Sequence, residues 1–348
     1  MCHPFLVGAD GLALSIYKKI LHSSRYRFMI TYILYTIIGA VLVLVGADKL
    51  TDGSVGLAER FGISEMVIGL TIVAFGTSLP EFIVSFLASI SNDSAATALS
   101  VSNIVGSNQF NVMVIAGLSA AVCPIVIAKG TVRKDIPLSI LASIVLSSQA
   151  LDTWLSGDSA NMLTRSDGII LLGFFAVFLA YSFSLAKQKE TKDPTDLMSA
   201  TRIALFIILG LCALIGGGEL FVEGACDIAR SAGVSEAVIG LTLVAGGTSL
   251  PELATSIIAA RKGQSALAIG NVVGSNIFNI FFILGVCATV KPLAVTGLTT
   301  IDFTILIASA LLFWLFSRSS YKLSRCEGVV MLMAYAIYIG WLILNNNV

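Results

Sequence analysis

The sequence predicts an all-α polytopic membrane protein: ten transmembrane helices forming two inverted five-helix repeats, with helices 2, 3, 7 and 8 broken. Three observations predict it. The 348 residues are 56% hydrophobic and only 12% charged, with a mean hydropathy of +0.93, which separates the chain from soluble domains. A spanning helix needs about 20 mostly apolar residues, and such segments fall at 30–57, 64–90, 97–122, 136–152, 167–186, 201–229, 235–260, 264–289, 300–317 and 326–344. The third observation is repetition: "GLTIVAFGTSLPE" at 69–81 returns as "GLTLVAGGTSLPE" at 240–252.

Taken in order, residues 1–29 are an extension carrying Lys18, Lys19, Arg25 and Arg27, without a signal-peptide apolar run followed by a cleavage site. The readings open for it are an interfacial helix, a disordered tail or a start site placed too early. Residues 30–186 hold the first five spans, 187–200 form a polar linker, and 201–348 hold the other five. The repeat reaches well beyond one motif. "VLVGADKLTDG" at 43–53 parallels "LIGGGELFVEG" at 214–224, "ISEMVIGLT" at 63–71 parallels "VSEAVIGLT" at 234–242, and "NIVGSNQFN" at 103–111 parallels "NVVGSNIFN" at 271–279. Five spans is an odd number, so the second half enters the membrane from the opposite side. Inverted repeats of this kind are characteristic of secondary transporters, with the substrate site at the repeat interface near the midplane.

Sidedness follows from Lys and Arg. Loops after spans 1, 3, 5, 7 and 9 carry Arg60, Lys129, Arg133, Lys134, Lys187, Lys189, Lys192, Arg202, Arg261, Lys262, Arg318, Lys322 and Arg325, against Arg165, Arg230 and Lys291 on the other side. The first set, including the linker, is therefore expected in the cytoplasm and both termini outside.

Several classes are excluded. Zero net charge with no basic block argues against a nucleic-acid partner. Cys2, Cys123, Cys212, Cys226, Cys287 and Cys326 lack CxxC spacing, so no disulfide or zinc site is implied. His3 and His22 lie in the N-terminal stretch, so no intramembrane histidine relay is available. An intramembrane metalloenzyme needs spacing such as HExxH, which is absent; the chain is not expected to be an enzyme. A channel would call for a continuous selectivity filter rather than a buried inverted-repeat site.

The repeated motif has a physical reading. Proline lacks an amide hydrogen and clashes with the carbonyl four residues earlier, so Pro80 frees the carbonyl of Gly76 and Pro251 that of Gly247. Irregular backbone survives in a membrane only where protein or a water-filled cavity surrounds it. Freed carbonyls with Thr77, Ser78 and Glu81, and with Thr248, Ser249 and Glu252, then make two clusters of hard oxygens. Asn103, Ser107 and Asn111 recur every four residues, as do Asn271, Ser275 and Asn279, so each trio lines one helix face. Asn103 and Asn271 also fit a helix-bridging role, and Asn108 and Asn276 read as packing polars. Asp48 and Glu219 are given no transport role. Carboxylates, hydroxyls, amides and carbonyls without imidazole or thiolate suit hard cations such as Ca2+. One Gly/Pro kink beside a hydroxyl is common in membrane helices; two copies, each with an intramembrane glutamate, argue for function.

At these motifs the sequence resembles the calcium/cation antiporter superfamily, and in particular its prokaryotic sodium/calcium exchanger branch, over about residues 32 to 346. The resemblance implies a ten-helix unit, sufficient as a monomer, in which spans 2, 3, 7 and 8 enclose four adjacent cation sites. It implies Glu81 and Glu252 as central acids and Thr77, Ser78, Thr248 and Ser249 as further ligands. Ala74 and Ala245 would give backbone carbonyls, and Ser107, Asn111 and Ser275 would complete the shell. Spans 1 and 6 would slide against the rest. One position departs: where some members carry Asp, this chain has Asn279, leaving two acids rather than three. The expected function is Ca2+/Na+ antiport across the lipid bilayer without a resident cofactor; exchange of Ca2+ for H+ on the same glutamates is the alternative.

Overall fold

Hydrocarbon offers no partner to backbone amides and carbonyls, so a chain this apolar pairs them within each segment. The computed structural model describes residues 7–91, 94–155, 157, 160–186, 197–233 and 245–345. In chain order its helices are α1 (Val7–Phe61), α2 (Glu65–Thr77), α3 (Leu79–Ile90), α4 (Thr97–Val122), α5 (Ile136–Ala150), α6 (Arg165–Ser184), α7 (Ala200–Ser231), α8 (Leu250–Arg261), α9 (Ser265–Val290), α10 (Thr300–Ser320) and α11 (Arg325–Asn345). The N-terminal extension is not separate from the first span, because α1 runs unbroken from Val7.

Among the described residues seven helices are long and apolar enough to cross a membrane, and α2 with α3, bent by 49° at their junction, would make an eighth. The other two expected spans are 136–152 and 235–260. The helix of the first, α5, follows directly on a π-helical turn at Thr131–Asp135 that carries Arg133, Lys134 and Asp135, and its buried face holds Ser139, Ser143 and Ser147; charges and hydroxyls together lower its hydropathy. The first half of the second, and the counterpart of "ISEMVIGLT" with it, falls in 234–244, outside the described residues, as do linker residues 187–196.

The expectation of four broken helices is corrected at spans 3 and 8. Both α4 and α9 continue without interruption through a wide π-helical turn, Asn111–Ala116 and Phe278–Leu284 respectively. Neither contains a proline, so no amide donor is lost and the backbone can widen instead of breaking. Such turns are frequent at functional sites, and both coincide with the last Asn of a GSNxFN motif.

Burial separates two kinds of helix. The apolar windows of α9 and α4 are 83% and 72% buried, against 17% for α1 and α11, so α4 and α9 form the centre. At the periphery α1 and α7 pack antiparallel along glycines seven residues apart. A Cβ at Gly39 would lie 2.4 Å from the Phe221 amide, one at Gly46 2.8 Å from the Gly210 carbonyl, and one at Gly217 2.7 Å from Leu42 Cβ. Lipid tails are as apolar as leucine, so helices associate in membranes largely through such close backbone approach.

The connections group by side. Strand β1 (Ile125–Val126) pairs antiparallel with β4 (Lys322–Leu323), and β2 (Met162–Leu163) with β3 (Leu293–Ala294). Arg60 donates to the Met198 carbonyl, and Lys262 binds Asp48 and Asp52 near the C-terminal end of α1. The end of span 1 thus meets the linker and the end of span 7, the end of span 3 meets that of span 9, and Lys291 after span 8 meets Ser91 after span 2. Capping boxes Thr164/Asp167, Thr299/Asp302 and Ser324/Glu327 start α6, α10 and α11 after these connections.

Candidate cation site

The two repeated motifs fold alike at their serine turns. Ser78 leaves helical geometry at φ −83°, ψ 8°, and Ser249 at φ −91°, ψ 9°; each is followed by a new helix with proline in its first turn. The missing proline amide belongs to a turn whose donors have no helical partner anyway. Glu81 and Glu252 sit in the first turns of α3 and α8, where the positive end of the helix dipole favours a carboxylate. Both are fully buried.

Each takes one partner from the opposite half and one from its own. Glu81 Oε1 accepts from Ser249 Oγ at 2.9 Å and from Ser107 Oγ at 3.3 Å. Glu252 Oε1 accepts from Ser78 Oγ at 2.9 Å and from Ser275 Oγ at 3.5 Å. Ser107 and Ser249 hydroxyls lie 3.0 Å apart. Asn279 donates to Ser107 Oγ, and Asn111 donates to Asn276 Oδ1.

Five buried oxygens around this network have no hydrogen-bond partner among the described residues: Glu81 Oε2, Glu252 Oε2, Asn111 Oδ1, Asn279 Oδ1 and Thr248 Oγ1. Leaving such acceptors unmet is costly, and most so for a carboxylate. Four of the five can only accept, so a cation satisfies them where a second acceptor would not. Two carboxylates, two amides and a hydroxyl are the hard donor set that Ca2+ and Na+ prefer.

The remaining expected ligands lie next to this group. Thr77 Oγ1 donates to Asn271 Oδ1 at 3.1 Å and approaches the Ala74 carbonyl at 3.4 Å. That carbonyl also accepts from the Ser78 amide at 3.0 Å. Ala245 opens the turn Ala245–Gly247 immediately before Thr248. Asn271 joins Ser256 and the Glu252 carbonyl, and Asn103 joins Ser85; both are tied up between helices. Asn108 and Asn276, read from sequence as packing polars, instead contact Asn279 and Asn111 directly. Each stands three residues before a ligand candidate of its own helix, Asn111 and Asn279 respectively, but the ligand candidate it contacts belongs to the other half.

Away from the site, Asp48 pairs with Lys262 at 2.5 Å and Glu219 is exposed. Partial burial opposes the Lys262 charge, but hydrogen bonds to Asp48 and Asp52 outweigh it and hold the ammonium above its usual range.

The sequence pattern of the sodium/calcium exchanger protein family matches residues 31–184 and 202–344. The chain is 36% identical over 328 residues to the putative antiporter CaxA of Alkalimonas amylolytica, covering 89% of this chain and 98% of that one. It is 31% identical over 344 residues to the sodium/calcium exchanger MaX1 of Methanosarcina acetivorans, covering 88% and 97%. The solved structure of the sodium-calcium exchanger NCX_Mj soaked with zero Na+ and Ca2+ superposes with a TM-score of 0.77 at 33% identity, over 90% of this chain and 99% of that one.

Proposed function

Because the chain belongs to the sodium/calcium exchanger protein family, we propose that it is a secondary active antiporter exchanging Ca2+ for Na+ by alternating access. The observation that carries this reading is the reciprocal pair of buried glutamates, each held through one oxygen by the other half and each leaving the second oxygen unpartnered. Two carboxylates neutralise one Ca2+, and charge left unpaired in a membrane interior is costly. Na+ competing for the same oxygens makes occupancy mutually exclusive, so each ion crosses as alternative cargo.

The proposed architecture is ten spans in two inverted repeats, 30–186 and 201–348, around a midplane site, with both termini outside a prokaryotic inner membrane and one chain sufficient. Paired contacts support it: Ser78 to Glu252 mirrors Ser249 to Glu81, Asn103 to Ser85 mirrors Asn271 to Ser256, and β1–β4 mirrors β3–β2. The ligands proposed are Glu81, Glu252, Thr77, Ser78, Thr248, Ser249, Asn111, Asn279, Ser107 and Ser275, with the carbonyls of Ala74 and Ala245.

The test is 45Ca2+ uptake into everted vesicles under an imposed Na+ gradient at equal pH, beside a pH gradient in Na+-free buffer. Uptake driven by Na+ alone is expected. Uptake driven by the pH gradient alone would replace Na+ with H+ as the coupling ion.

A further inference from the structure

At the centre of the molecule Asn108 and Asn276 face each other across α4 and α9. Asn108 Nδ2 donates to the Asn276 backbone carbonyl at 3.1 Å, and Asn276 Nδ2 donates to the Asn108 carbonyl at 3.4 Å. A backbone carbonyl only accepts, so it admits the amide's nitrogen and never its oxygen. Each side chain is thereby held in one sense, with its Oδ1 turned the other way. Asn276 Oδ1 then accepts from Asn111 Nδ2 at 3.0 Å, and Asn108 Oδ1 accepts from Asn279 Nδ2 at 2.9 Å. The second pair of amides is in turn fixed, and both of their oxygens are left buried without a partner.

We infer that Asn108 and Asn276 are positioning residues that set the sense of the Asn279 and Asn111 amides, so that oxygen rather than NH2 faces the cations. The inference rests on the reading of this site as a cation site. An amide flipped by 180° keeps its shape but turns two partly positive hydrogens toward the ion, so orientation here decides whether the group attracts or repels. Fixing that orientation from outside the ligand shell is the part that outer partners play around other metals, where their loss typically weakens affinity by 10–100-fold.

The test is a double-mutant cycle on the full-length protein in detergent, with 45Ca2+ binding at equilibrium as the readout. Asn276→Leu removes the acceptor that orients Asn111 and is expected to raise the Ca2+ dissociation constant by about tenfold or more. In an Asn111→Asp background the same substitution should not weaken binding, because a carboxylate presents oxygen whichever way it turns and the leucine removes the Asn276 oxygen that would oppose it. A packing role predicts equal losses in both backgrounds, and that result overturns the inference. The mirror cycle, Asn108→Leu with and without Asn279→Asp, gives the same comparison where a variant of the first fails to fold. Absence of saturable Ca2+ binding by the wild type would overturn the reading of the site and this inference together.

Discussion

Ser78 reaches across the molecule to Glu252, its hydroxyl donating to Oε1 at 2.9 Å, and Ser249 returns the contact to Glu81 at the same distance. Each broken helix therefore orients the acid of the other. Removing either hydroxyl deletes one hydrogen bond to a carboxylate, a contribution of about 1.5–3 kcal/mol. Ser78→Ala and Ser249→Ala should each weaken Ca2+ binding by about tenfold or more and agree within about threefold. Equilibrium 45Ca2+ binding measures this, and a large effect confined to one variant would contradict reciprocal roles.

Substituting Glu81→Gln or Glu252→Gln keeps the accepting Oε1 but replaces the unpartnered Oε2 by an NH2 group. Half of the neutralising charge disappears and a donor takes its place beside the cation. Exchange of Ca2+ should fall by more than about a hundredfold, the scale of a charge-bearing contact of about 3 kcal/mol. The protein should still elute as a monodisperse species on gel filtration. Near-normal Na+-driven Ca2+ flux in either variant would remove the two-carboxylate site.

Adjacent glycines on α7 give a sharp comparison. A Cβ at Gly217 would come within 2.7 Å of Leu42 Cβ and 2.9 Å of the Val43 amide, whereas one at Gly216 meets nothing within 4 Å. Gly217→Ala should push α1 from α7 and lower the thermal midpoint by several degrees, on the order of 1–3 kcal/mol for an overpacked contact. Gly216→Ala should leave it unchanged or raise it slightly, since alanine favours the helix by about 1 kcal/mol. Thermal unfolding followed by tryptophan fluorescence separates the two, and equal midpoints would mean that the α1–α7 seam yields freely.

Sidedness is tested by cysteine labelling in a background without native cysteines. Lys134 and Lys322 are exposed on the face where β1 meets β4, and Ser166 and Thr296 on the face where β2 meets β3. Cysteines at the first two should react with a membrane-impermeant maleimide only from the cytoplasm, and those at the last two only from outside. Lys134 and Ser166 labelling from the same side would refute the alternation of spans.

Both glutamates, the two broken helices and the facing Ser/Asn stripes were legible because each depends on local chemistry: a proline that removes a donor, a spacing of four that shares a face. What escaped was non-local or without a local signature. The π turns at Asn111 and Phe278 leave the apolar pattern undisturbed, so the sequence does not distinguish a widened turn in α4 and α9 from a break. The roles of Asn108 and Asn276 depend on a carbonyl 168 residues away, which no spacing within one helix reveals. The buried serines of α5 lower the hydropathy of a stretch that the sequence reading counts as a span like the others.

Asn279 leaves the site with two acids, and its surroundings suit an amide. Its NH2 group donates both to Ser107 Oγ at 3.2 Å and to Asn108 Oδ1 at 2.9 Å. An ionised Asp there could make neither bond and would set oxygen against the Asn108 oxygen. A protonated Asp retains one donor and nearly the same shape. Asn279→Asp should therefore transport most like the wild type at acidic pH, and diverge as the pH rises and the third carboxyl ionises beside Glu81 and Glu252. The three acids titrate as a coupled group, so the divergence should spread over more than about one pH unit rather than follow a single residue. Na+-driven Ca2+ flux measured across pH for both proteins decides the matter, and superimposable profiles would show that position 279 does not face the cations.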